Sequence, residues 1–174
     1  MIALERDEFC VMFAQSKRIT QLTPCLFQIP ADPLVLKFLA YHYPINPFVL
    51  RGGNQHFNPY SVFLNGQLER YQYVDTVMPR RYERLTARLT VSISTSKAHN
   101  GQGRHLTPQK IWAFNEFCRQ SFLRQMVGEV RIRVEGGAGV NASVHQFLAR
   151  YGIDEEVLSF DTARRYYHRV VRRK

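Results

Sequence analysis

Cysteine is scarce in this chain. Only Cys10, Cys25 and Cys118 occur, an odd and widely spaced set in apolar surroundings. Such a set argues against a disulfide framework or a zinc site and reads as free thiols in a reducing compartment. Long apolar runs are missing as well, and no stretch approaches the roughly 20 residues that span a bilayer. Nor is there an apolar leader, because Met1-Ile2-Ala3-Leu4 gives way at once to Glu5-Arg6-Asp7-Glu8. These absences predict an intracellular protein, cytoplasmic or nucleoid-associated and not secreted, with no membrane partner. Asn141-Ala142-Ser143 matches a glycosylation acceptor, which has no meaning without secretion.

Acids are the other shortage. Glu5, Asp7 and Glu8 cluster at the start and Asp154, Glu155 and Glu156 near the end. Between them stand only Asp32, Glu69, Asp75, Glu83, Glu116, Glu129 and Glu135. No pair has the spacing of a two-metal nuclease. Gly-x-Ser-x-Gly and His-Glu-x-x-His are absent, and no Cys–His pairing is evident. Gly101-Gln102-Gly103 lacks the Gly-Lys-Ser/Thr that completes a phosphate-cradling loop. His99 and His105 have no carboxylate or thiol at a metal-ligand spacing. We therefore expect no catalytic residue, no metal and no cofactor. An active site assembled from distant residues is invisible to motifs, so an enzyme acting on nucleic acid stays as a third option, with Glu83 and Asp75 the acids to test.

Positive charge is what the chain has in excess. Its 24 Lys and Arg against 14 Asp and Glu give +10 with neutral histidines, and the pI is about 9.9. A polyanion is the partner such a balance suggests. With 45 % hydrophobic and 13 % aromatic residues, the 174-residue chain has material for a real core.

Patterning predicts an α+β fold, a small mixed or antiparallel sheet packed by a long helix. The apolar run Phe9 to Phe13 reads as a buried strand, with a turn at Lys17-Arg18, and Pro24 to Pro30 reads as a second strand. Asp32-Pro33 opens a helix that Pro44 ends. Residues 44–66 read as irregular, broken by Pro44, Pro47, Gly52, Gly53, Pro59 and Gly66. The aromatics there (Tyr41, Tyr43, Phe48, Phe57, Tyr60, Phe63) are expected to pack as core under loops in preference to stacking bases beside Arg51, Asn54 and His56. Tyr71, Tyr73 and Val77 alternate. Leu85, Ala87, Leu89, Val91 and Ile93 then share one face of a half-exposed strand. Residues 96–105 form a polar, Gly-containing loop carrying Lys97, His99, Arg104 and His105. Thr107-Pro108 caps a long helix through about Val127. Ile111, Phe114, Phe117, Cys118, Phe122 and Met126 recur on its inner face, and it is expected to lie on the Leu85–Ile93 strand. Val130, Ile132 and Val134 alternate with charges, so 129–135 reads as a strand, with a continued helix as the competitor. Gly136-Gly137-Ala138-Gly139 reads as a flexible joint between a body, 1–135, and a basic helical segment, 136–174.

That segment carries the function. Asn141 is a candidate N-cap and Gly152 a candidate C′ residue for one helix; Asp154 to Leu158 makes an acidic turn or short helix; Ser159 caps a last helix from Phe160 to about Arg173. Phe160, Ala163, Tyr167, Val170 and Val171 make its apolar stripe. Arg164, His168 and Arg172 form one polar row, and Arg165, Arg169 and Arg173 a second. Helix, tight turn, basic helix is the outline of a helix-turn-helix reader. The expected function is non-catalytic nucleic-acid binding, with duplex DNA ahead of RNA. The candidate contacts are Arg164, Arg165, His168, Arg169, Arg172, Arg173 and Lys174, with Lys97 and Arg104 from the loop. Tyr166 and His168 can add polar contacts. The alternative is a structural subunit of a larger assembly, a ribonucleoprotein or phage-type particle. There the basic tail docks a protein partner, or a second copy of the chain, and 41–63 is an interface.

Overall fold

In the computed structural model, residues 25–50, 58–69, 79, 81–94 and 105–172 are described. The expected strand at Phe9–Phe13, the alternation at Tyr71–Val77 and most of the 96–105 loop lie outside them.

The chain is α+β: among the described residues, five helices surround a three-stranded mixed sheet. In chain order these are β1 (Cys25–Ala31), α1 (Pro33–His42), β2 (Phe48–Leu50), α2 (Pro59–Gln67), β3 (Ala87–Ile93), α3 (Pro108–Glu135), α4 (Val140–Arg150) and α5 (Phe160–Val171). β3 is central, antiparallel to β1 and parallel to β2. Phe27 and Phe48 both register with Val91, so the odd residues of β1 and β3 and the even residues of β2 face the core together. On the outer face Arg88 is exposed and Thr90 half-buried, but Ser92 is buried between the flanking strands.

Three helices begin by the same device. Asp32, Asn58 and Thr107 each precede a proline at the first helical position, and each side chain accepts a backbone N–H of the first turn. The proline has no amide to leave unsatisfied there. The expectation that 44–66 is irregular fails for this reason: β2 and α2 form within it, and Asn58-Pro59 starts a helix where the proline was read as a breaker. Most of the described aromatic residues named with that stretch pack inward, but Tyr41 is 51 % exposed. Phe48 and Tyr60 are buried, and Phe63 stacks on Phe117 with ring centres 4.5 Å apart.

α3 runs 28 residues and overturns the strand expected at 129–135. Val130 continues the buried stripe of Phe122 and Met126 at four-residue steps, whereas Ile132 is 70 % exposed. A strand would have placed Val130 and Ile132 on one face. Gly128 sits at an exposed helical position with open space around it, so it interrupts nothing. Arg131 and Glu135, one turn apart, pair at 2.7 Å. The helix packs against α1, α2, α4 and the end of β1, not chiefly on β3 as expected. Phe117 is half-buried, not central.

The core is continuous from the sheet to α5. Phe38 of α1 is its hub, with Tyr60, Phe122 and Tyr151 rings 5.5–5.9 Å from its own. A polar node pins α3 to the start of α1. Asn115 Oδ1 accepts the Asp32 amide at 2.8 Å, and its Nδ2 donates to Pro30 and Ile111 carbonyls. Arg119 donates to the Asp32 carboxylate at 2.9 Å.

Residues 136–139, expected as a flexible joint, form a hydrogen-bonded turn. Gly137 is left-handed (φ 92°), its N–H donates to Val134 and that of Ala138 to Arg133. This is a Schellman closure of α3. Gly152 (φ 60°) repeats it at the end of α4, with bonds to Ala149 and from Ile153 to Leu148, as its place in the sequence predicted. Asn141 is not the cap of α4. The chain re-enters helix at Val140 with Gly139 as cap, and Ser143 Oγ donates to its carbonyl.

Candidate nucleic-acid interface

α5 starts as its sequence predicted. Ser159 Oγ accepts the Thr162 amide at 3.3 Å, and the Glu155 carboxylate accepts the Phe160 amide at 3.2 Å. Asp161 adds a second acid to the first turn. Negative charge thus meets the positive end of the helix dipole, and arginines follow toward the other end. Ala163 and Tyr167 are buried and Phe160, Tyr166 and Val170 half-buried, so this face holds the helix to the body. Tyr166, expected to offer a polar contact, packs against the core.

The opposite face holds the cations. Arg165, His168, Arg169 and Arg172 are exposed and, at steps of three and four, form one strip. At 1.5 Å per residue it spans about 10 Å of helix. Arg164 sits at its margin, half-buried, 3.1 Å from Asp161 and over the Phe160 ring. These five side chains line an open cleft of about 620 Å³. All belong to one helix, so the cleft is the space between their arms. Four of the five are guanidinium groups, which suit the oxygens of a phosphate, and the fifth, His168, adds an imidazole.

Several cations outside this strip are paired. Elsewhere Lys37 reaches Asp154 at 2.7 Å, Lys110 reaches Glu69 at 2.6 Å, and Arg150 reaches Glu129 at 2.7 Å. The Lys37 hydrogen bond holds the Asp154 carboxyl below the usual carboxylate range. Among the described residues Arg165, Arg169 and Arg172 have no acid within 4 Å, and neither do Arg81, Arg84, Arg88 or Arg124, which lie before and on β3 and on α3. Arg173, Lys174, Lys97 and Arg104 lie outside the described residues. His105 is described and forms a backbone bridge with Glu69.

Two features depart from the reader motif or escaped the sequence. The connection from α4 to α5 is the nine residues Tyr151–Ser159, longer than the three or four of a helix-turn-helix. And His145 of α4 stacks flat on Phe160, with centres 3.9 Å apart and planes 6° from parallel. Nothing in the spacing of His145 announces that contact, because it depends on the angle between two helices.

A second groove, about 380 Å³, separates the ends of α3 and α5. Val127, Val134, Tyr167, Val170 and Val171 line it, with the Arg131–Glu135 pair at its wall. Buried Tyr151 lies 3.2 Å from His42 Nε2, and its hydroxyl is pushed up to about 12 by desolvation, which keeps it protonated. No group of three or more metal-ligating side chains occurs among the described residues, and none of their helices is long and apolar enough to cross a membrane. Comparison with protein-family models, with curated proteins and with solved structures returns no match for this chain.

Proposed function

We propose that the chain is a non-catalytic nucleic-acid-binding protein that grips the phosphate backbone with α5. The observation that carries this reading is the exposed strip Arg165, His168, Arg169 and Arg172, with no acid within 4 Å among the described residues, on a helix whose other face is fixed to the core. Arg173, Lys174, Lys97 and Arg104 extend the same charge in sequence. Phosphate contacts give affinity without base readout. The long α4–α5 connection removes the main reason for favouring insertion into a duplex groove, so duplex and single-stranded ligands are compared directly. The setting this implies is intracellular, wherever nucleic acid is found.

The experiment is a salt-dependent titration of the wild-type protein and of the double variant Arg165→Ala/Arg169→Ala against duplex DNA, single-stranded DNA and RNA. Each lost phosphate contact should flatten the slope of log affinity against log salt by roughly 0.7–0.9, so the double variant loses about one to two units. An unchanged affinity and slope would make the strip a solvated face.

The second reading, a subunit of a larger assembly, draws on the groove between α3 and α5. Val171, one of its lining residues, is 41 % exposed. Light scattering of the pure protein, and its comparison with Val171→Asp, tests whether this surface binds a second copy.

A further inference from the structure

The His145–Phe160 stack lies beside the basic strip and is used by nothing described so far. Phe160 is half-buried, His145 is exposed, and among the described residues no other ring packs on His145. Arg164 brings its guanidinium carbon to 5.8 Å from the centre of the same Phe160 ring, and Asp161 steadies it from 3.1 Å. Arg165 follows Arg164 in the helix and begins the unpaired strip.

An imidazole lying flat on a phenyl ring has already given up most of its rotamer freedom. It can take a further ring on its open face at low entropic cost. Every nucleobase has a π-face, and single-strand-binding proteins combine such platforms with a cationic track. Bases inside a duplex are already stacked on both sides, so an open platform serves a single strand, a loop or a strand end.

We propose that His145 is the stacking seat for one unpaired nucleobase, in a strand whose phosphates run along Arg164, Arg165, Arg169 and Arg172. The proposal rests on the phosphate-binding reading of α5 and adds a ligand class to it: nucleic acid with unpaired bases, ahead of uniform duplex.

The test uses the full chain and two labelled oligonucleotides of about 12 nucleotides, one oligothymidylate and one with the same backbone but abasic sites throughout. Wild-type protein should bind the oligothymidylate about tenfold more tightly than the abasic strand, since base stacking on a side chain is worth that order. His145→Ala should erase most of this preference without altering the salt slope, and His145→Phe should keep it. Arg165→Ala/Arg169→Ala should weaken both ligands alike and flatten both slopes. If the wild type binds the two strands equally, or folded His145→Ala keeps the preference, the stacking seat is wrong and the stack only joins α4 to α5. If instead the arginine variant changes neither ligand, the phosphate reading beneath it is wrong. Should His145→Ala fail to fold, the wild-type comparison of the two strands decides alone.

Discussion

The cations of the α1–α3–α4 body and those of α5 are the same residue types put to different uses. In the body they close distances between elements: Lys37 ties α1 to the loop after α4, Arg119 ties α3 to the cap of α1, and Arg150 ties α4 to α3. Each of these three has an acid far from it in sequence, whereas Arg131 of α3 pairs with Glu135 one turn away and Arg124 has no acid within 4 Å among the described residues. On α5 only Arg164 has an acid, three residues away on the same helix, while Arg165, Arg169 and Arg172 have none among the described residues. Charge that joins elements contributes to the fold. Charge left open on a helix anchored by its other face contributes nothing to the fold and is available to a partner.

The contrast predicts large stability effects in the body and almost none on the strip. Phe122→Ala, at a fully buried position touching Phe38, Phe147 and Tyr151, should lower unfolding free energy by about 3–5 kcal/mol in denaturant titration. A small loss would mean that α3 is not the common wall of α1 and α4. Asp32→Ala removes a helix cap and strands Arg119, and about 2–3 kcal/mol should go with it. An Asp32→Ala protein as stable as the wild type would show that paired body charges are no more structural than those of α5.

Tyr151 sharpens the comparison through pH. Burial raises its hydroxyl from the ordinary 10.0 to about 12, so the unfolded chain releases that proton first. Stability attached to the protonated hydroxyl is fully present below pH 10 and falls as pH rises toward 12. The loss is at most about 3 kcal/mol, one pKa unit being worth about 1.4. Tyr60 and Tyr82 shift the same way by desolvation and add to the slope. Denaturant midpoints measured from pH 9 upward should fall less steeply in Tyr151→Phe. Equal slopes would show that Tyr151 is open to solvent. The smallest effect belongs to the strip: Arg165→Ala/Arg169→Ala should move the unfolding free energy by about 0.5 kcal/mol or less. A larger loss would mean these arginines have structural partners after all.

Local signals were the legible part of the fold. Asp32-Pro33, Thr107-Pro108, Ser159 and Gly152 each act within one helical turn, and each appears where the sequence puts it. So does β3, whose period of two survives because one strand on each side leaves its alternation intact. Errors arose where two periods compete over a short run. Val130-Arg131-Ile132-Arg133-Val134 fits a strand by alternation, yet the preceding helix extends through it because Val130 completes a buried row begun by Phe122 and Met126. The pairs Arg119–Asp32 and His145–Phe160 were illegible for another reason: they join residues brought together by packing, and no spacing encodes them. The arginines of α5 could be named from sequence as a row, but that Arg165, Arg169 and Arg172 have no acid within 4 Å among the described residues emerges only from the structure.

The register of β1 against β3 also bears on the order in which the chain assembles. Ala31 meets Ala87 and Cys25 meets Ile93, so the sheet closes only after loops of roughly 55 to 70 residues have been brought in. α3, α4 and α5 follow one another through connections of four and nine residues, so their mutual contacts are far more local than those of the sheet. Local contacts form sooner than distant ones. The helical end of the molecule, with its arginine strip facing outward, is therefore expected to take shape while the sheet is still open. A partly unfolded chain would then already carry the basic strip of α5.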